Sequence, residues 1–267
     1  MDTIGESLSI LASNWLNRFG SALSSRDRKA LSKLFHDDSH WRDLLALTWN
    51  VSTVSGPEVI AALLEKHQPS AVATEFRLDE NDAPVRIVMR GGREDVIEAI
   101  YAFNTVNGPA RGVLRLLPDD SDGGKLKAWT LLTALDSIAE HGETICTARL
   151  TGEVNSRDFT GPNWQDRRNT AIAYDDRDPD VLVVGGGQAG ISTAARLTQL
   201  GVDTLIVDTN DRIGDNWRKR YHTLVLHNQV HVNHFPYLPF PPNWPTYIPK
   251  DKLAGWFEAY VELMELN

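Results

Sequence analysis

Cysteine is nearly absent: Cys146 is the only one in 267 residues. One thiol cannot close an intrachain disulfide or build an all-cysteine metal site, so neither a disulfide framework nor a zinc ribbon is expected. Cationic residues are in deficit, with 27 Lys and Arg against 36 Asp and Glu and a formal net charge of −9. Nucleic acid and anionic membranes are bound through a surplus of Lys and Arg, so neither is an expected partner. Long apolar runs are missing, and nothing approaches the roughly 18 consecutive apolar residues of a membrane helix. Asp2 and Glu6 stand where a secretion signal would be basic, which leaves the cytoplasm as the expected location. His222, His231 and His234 have no carboxylate or cysteine at metal-ligand spacing, so no metal is expected. What remains is ordinary: 42% hydrophobic and 24% charged residues, as in a soluble globular chain. Its length suits two domains at roughly 100–200 residues each.

The first half reads as helices followed by strands. Leu8, Leu11, Trp15, Phe19 and Leu23 recur every three or four residues and line one helical face. Asp27 can cap a second helix through Leu31, Leu34 and Phe35, and Gly56-Pro57 can open a third. From residue 72 the period becomes two: Val72 to Leu78, Ile97 to Thr105, Leu114 to Leu116 and Leu126 to Leu132 alternate as half-buried strands do. The expectation is an α+β domain with an antiparallel sheet and no parallel pair before residue 140. Helices first, then Trp41-Arg42-Asp43, then a curved sheet resembles the NTF2-like (SnoaL-like) cone fold. That superfamily includes isomerases, cyclases, dehydratases and dimerisation modules. The domain is assigned to residues 1–142, and residues 143–178 read as a polar linker.

Asp180 to Val184 is a short apolar run suited to a strand covered on both faces. Gly185-Gly186-Gly187-Gln188-Ala189-Gly190 follows at once, then a helix to Leu200, a second apolar strand and Asp208. In this order Gly185 permits the tight turn, Gly187 lets a pyrophosphate approach the backbone, and Gly190 lets helix pack on strand. The N–H groups at the helix start, Gln188 among them, face the phosphates with the positive end of the helix dipole behind them. Asp208 lies 21 residues after Gly187, where a carboxylate can accept from ribose hydroxyls.

The motif alone does not choose FAD over NAD. Arg212-Ile-Gly214-Asp-Asn-Trp217-Arg218-Lys-Arg-Tyr221, continuing to His227, resembles class B flavin-dependent monooxygenases, as does Pro236-Tyr-Leu-Pro-Phe-Pro241. The resemblance covers residues 179–267 and implies the N-terminal part of a Rossmann-type α/β FAD-binding unit. It implies that Gly214, Trp217 and Arg218 lie along the FAD, and that His227 lies beside flavin and nicotinamide as a catalytic candidate. Read as plain residues, Trp217 is equally a core side chain, Arg218 an ion-pair partner and His227 a core histidine. The family's second glycine motif, for NADPH, has no counterpart after Gly214. The FAD unit is therefore expected to be incomplete, and its flavin not to be reduced by NADPH through these residues alone.

Three functions follow. The first is an FAD-dependent monooxygenase of secondary metabolism acting on a small organic molecule. The second is a redox-neutral isomerase or cyclase, of pericyclic type, with Asp43 as acid or base in the cone. The third is a binding module in which the cone forms a homodimer. The helix from Lys252 to Leu266 is expected to pack on the half-sheet of residues 180–208, with Val181, Val183, Leu205 and Val207 needing cover from the first domain or a second copy.

Overall fold

A computed structural model describes residues 3–79, 81, 83–145 and 160–267. Cys146 lies outside the described residues. The chain divides into two compact units, residues 1–142 and 143–267.

The first unit begins with α1 (Thr3–Ser24) and α2 (Arg28–Ser32). Asp27 caps α2 by accepting from the Ala30 N–H at 2.9 Å, as the sequence led us to expect. Strands β1 (Phe35–Leu44) and β2 (Val51–Ser55) follow, then α3 (Pro57–Ala71), which has Pro at its start. Five strands complete the unit: β3 (Thr74–Leu78), β4 (Arg86–Arg90), β5 (Arg93–Thr105), β6 (Gly108–Asp119) and β7 (Lys125–Leu135). They form one sheet in the order β2-β1-β7-β6-β5-β3, with β4 also on β5.

Two corrections arise here. Phe35, read as a helical residue, opens β1. The sheet is mixed, because β1 runs parallel to β7 with Trp41 opposite Leu131 and Asp43 opposite Thr133. The fold is α+β, but the expected absence of a parallel pair fails. The core lies between α1, α3 and one face of this sheet. Trp15 stacks on Phe19 at 5.0 Å, meets Phe35 edge-on at 5.9 Å, and donates its Nε1–H to the Leu34 carbonyl at 3.1 Å. A buried aromatic body with its one polar atom satisfied gives both area and orientation to the core.

The second unit holds α4 (Trp164–Ala173), β8 (Val181–Val184), α5 (Gln188–Gln199), β9 (Thr204–Val207), the short α6 (Asp215–Arg218) and α7 (Lys250–Leu263). Strands β8 and β9 pair in parallel, joined by α5 as a crossover. The region read as a linker contains α4, closed at its start by a reciprocal capping box between Asn163 and Asp166. Tyr174 and Arg177 beyond it donate to the two oxygens of Asp203 at 2.6 and 2.9 Å.

Leu253, Phe257 and Tyr260 of α7 share a core with Ile191, Ala194 and Ala195 of α5, against which Val183 and Ile206 pack. The helix thus covers one face of the two strands, as expected. The six prolines from Pro236 to Pro249 keep the preceding segment out of the sheet. The other face is not the set expected. Register places Leu182 opposite Leu205 and Val184 opposite Val207, so these four share the open side while Val183 and Ile206 point inward. On this side Leu182 and Val184 are 54% and 82% exposed.

Candidate dinucleotide site

The site is built where β8 hands over to α5. Gly185 turns the chain with φ +112°, a conformation costly for any residue with a Cβ. A Cβ on Gly190 would lie 1.9 Å from the Gly185 carbonyl oxygen, so the helix reaches the strand only because residue 190 is glycine. These two glycines are required by the fold.

Gly187 is different. It caps α5 with φ −82° and ψ −176°, extended backbone open to any residue, and makes no side-chain cap bond. A Cβ there would meet only the Asn216 side-chain amide, at 3.3 Å. Helix caps favour Ser, Thr, Asp and Asn, which would satisfy a first-turn N–H. Here those donors stay open beside a backbone stripped of side chain. Gln188 follows as the first helical residue, with its side chain exposed.

Asp208, just past β9, accepts from the Gly186 N–H at 2.6 Å through Oδ2 and from the Asn210 N–H at 2.7 Å through Oδ1. Those backbone bonds, first from Asn210 and then from Gly186, with help from the Asn210 side chain, hold its pKa below the ordinary carboxylate value. A charged, exposed carboxylate therefore stands over the glycine turn. Asn216, whose side-chain amide lies near Gly187, has its Oδ1 buried without a hydrogen-bond partner among the described residues, and so has the Nε1 of Trp217, which packs on the core of this unit. Such orphans are rare.

The other expected residues have different surroundings. Gly214 has φ +88° and a Cβ there would come within 2.5 Å of the Ala254 carbonyl oxygen, so α7 itself demands this glycine. Arg218 donates to the Ile213 carbonyl at 2.8 Å, Asp215 at 3.0 Å and Glu258 at 2.6 Å. Its guanidinium ties α6 to α7. Glu258, which also pairs with Arg212, was not singled out from the sequence, because its partners lie 40 and 46 residues away. His227 is exposed on the irregular segment after α6.

Asp43 is fully buried in the first unit. Thr133 donates to its Oδ1 at 2.5 Å, and the Thr48 hydroxyl and N–H donate to Oδ2 at 2.6 and 2.8 Å. The Leu47 N–H adds bonds of 3.2 Å to both oxygens. These bonds make Asp43 the anchor of the β1–β2 loop rather than a group poised over a pocket.

Glycine turn, crossover helix and carboxylate are arranged as in a Rossmann-like unit. The profile of NAD(P)-binding Rossmann-like domains matches residues 183–243. The chain is similar to indole-3-pyruvate monooxygenase YUCCA1 of Oryza sativa subsp. japonica, with 36% identity over 97 residues, 36% of this chain and 22% of that protein. It is also similar to an uncharacterised CzcO-like oxidoreductase of Geobacillus kaustophilus, at 38% over 90 residues, 33% of this chain and 25% of the other. The chain thus spans about a fifth to a quarter of the curated relatives it matches. Among solved structures, a flavin-containing monooxygenase from Stenotrophomonas maltophilia aligns over 33% of this chain and 27% of its own, with 27% identity and a TM-score of 0.31. An NTF2-like protein with a cystatin-like fold from Novosphingobium aromaticivorans aligns over 50% of this chain and 83% of its own, with 18% identity and a TM-score of 0.32.

Proposed function

We propose that residues 179–267 bind FAD and that the protein is a flavin-dependent monooxygenase-like oxidoreductase acting on a small organic substrate. The observation that carries this reading is Gly187: a glycine that neither backbone conformation nor internal packing requires, at a cap position where a side chain would help the helix. A pyrophosphate resting on the start of α5 supplies the missing reason. The unpartnered polar side chain of Asn216 beside Gly187 fits the same ligand, and Asp208 is charged and exposed for ribose hydroxyls.

The choice of FAD rests on the likeness of this segment to flavin monooxygenases. FAD held here would supply oxygen-transfer chemistry, given electrons from a nicotinamide bound outside these residues. The first-turn N–H groups of α5 would meet its phosphates, and Asp208 would accept from its ribose hydroxyls. Arg218 and Glu258 keep α6 and α7 together behind the site.

The test is titration of the intact chain with FAD, followed by quenching of flavin fluorescence. Saturable binding is expected, and it should disappear in Gly187→Val while the circular dichroism is unchanged. A folded Gly187→Val protein that binds FAD as the parent does would sink the reading.

A further inference from the structure

The face of the first unit's sheet turned away from α1 and α3 carries a second concavity, of about 270 Å³. Three adjacent strands build it in two rows. His40, Thr130 and Arg115 lie side by side across β1, β7 and β6, and Arg42, Leu132 and Val113 form the next row. Arg42 stands at one edge of a floor made by Leu132 and Val113, while Arg115 at the other edge is held by Glu98 at 2.8 Å. Their electrostatic setting is unusual for a chain of net charge −9. Arg86, Arg90 and Arg115 all converge on the single carboxylate of Glu98, leaving a local cationic surplus. Arg42 has no carboxylate partner among the described residues. His40 is held between Ser55, with Nδ1 at 2.7 Å from Oγ, and the Asp38 carboxylate, with Nε2 at 3.6 Å from Oδ1.

We infer that this concavity binds a small organic carboxylate, its charged end at Arg42 and its apolar body on Val113 and Leu132. A guanidinium fork matches the two oxygens of a planar carboxylate. A floor of Val113 and Leu132 suits a carbon skeleton better than a bare inorganic anion. The inference stands apart from the flavin reading, since it uses no residue of the second unit.

Isothermal titration of the intact, flavin-free chain with benzoate tests it, with benzyl alcohol and inorganic phosphate as comparison probes. Saturable binding of one benzoate per chain is expected, with benzyl alcohol and phosphate each binding at least roughly tenfold more weakly for want of the charged fork or the apolar body. Arg42→Gln should weaken benzoate by a similar factor and, at an exposed position, leave the fold intact. Val113→Phe, which fills the floor, should abolish binding. Absence of saturable binding, equal binding of phosphate, or full benzoate affinity in Arg42→Gln would each overturn the assignment. So would a dimer of chains in solution that Val113→Phe dissociates, which would show this face to be covered by a second copy.

Discussion

At the scale of single residues, the glycines of the turn separate into two kinds that a motif cannot distinguish. Gly190 is needed to let α5 touch β8, whereas Gly187 is spared by the protein for something else. Gly190→Ala is therefore expected to destabilise the second unit, because the new methyl would collide with the Gly185 carbonyl. Gly187→Ala should leave stability within about 0.5 kcal/mol of the parent yet weaken FAD, a split read by thermal melting alongside flavin titration. Equal stability loss in both variants would mean that Gly187 too serves the fold. Asp43 illustrates the converse case. An acid beside an arginine and a tryptophan invites a catalytic reading, but its carboxylate is enclosed by the donors of Thr48, Thr133 and Leu47. Asp43→Ala strands those donors in a dry interior and is expected to cost about 3 kcal/mol, lowering the melting point of the first unit by roughly 10 °C. A variant of unchanged stability would refute the anchoring role.

At the scale of elements, the parts legible in the sequence are those whose signal is local. The spacing of Trp15, Phe19 and Leu23 marks α1, the Asp27 cap marks α2, and the alternation in β5, β6 and β7 marks their buried faces. Strand β1 escaped because its outward residues include His36, Asp38 and His40, and two of its four buried residues, Ser39 and Asp43, are polar beside Phe35 and Trp41. Its parallel pairing with β7 joins residues about ninety apart, a choice that no short window records. Glu98, buried between β4 and β6, is met by Arg86, Arg90 and Arg115, which lie only 8 to 17 residues away but come from the two neighbouring strands, so strand register rather than sequence spacing brings them together. Burial alone would raise its pKa, but the three arginine bonds prevail and lower it from 4.5 to about 2. A carboxyl whose folded pKa is depressed stabilises the fold above its unfolded value and loses that contribution as pH falls through the folded one. Over the window from pH 5 to pH 2 this group should therefore withdraw about 3 kcal/mol. Urea unfolding of the first unit at pH 6 and pH 3 tests this. Glu98→Gln should be less stable at pH 6 and show a flatter loss towards acid, and an unaltered acid slope would remove Glu98 from the explanation.

At the scale of the whole molecule, the two units are unequally equipped. The first closes a seven-stranded sheet over α1 and α3, with a core drawn from residues 8 to 135. The second rests on two parallel strands of four residues each, covered by α5 and α7 on one face and exposing Leu182, Val184 and Val207 on the other. Parallel sheets are stable when both faces are covered, and two strands alone are marginal in water. The second unit should therefore melt first, and it should also be the one that ligand stabilises. A ligand that binds only the folded form adds RT ln(1 + [L]/Kd), about 2.7 kcal/mol at a concentration one hundred times Kd. On a unit of this size that raises the melting point by roughly 10 °C. Scanning calorimetry of the intact chain with and without FAD should show the lower transition climbing by that order while the upper one stays in place. In Gly187→Val both transitions should stay where they are, which separates binding at the glycine turn from a general effect of flavin on the chain. If instead the upper transition moves, FAD acts on the first unit and the assignment of the glycine turn is wrong. A single transition that shifts as a whole would show that the units unfold together, and the inequality argued from their cores would not hold.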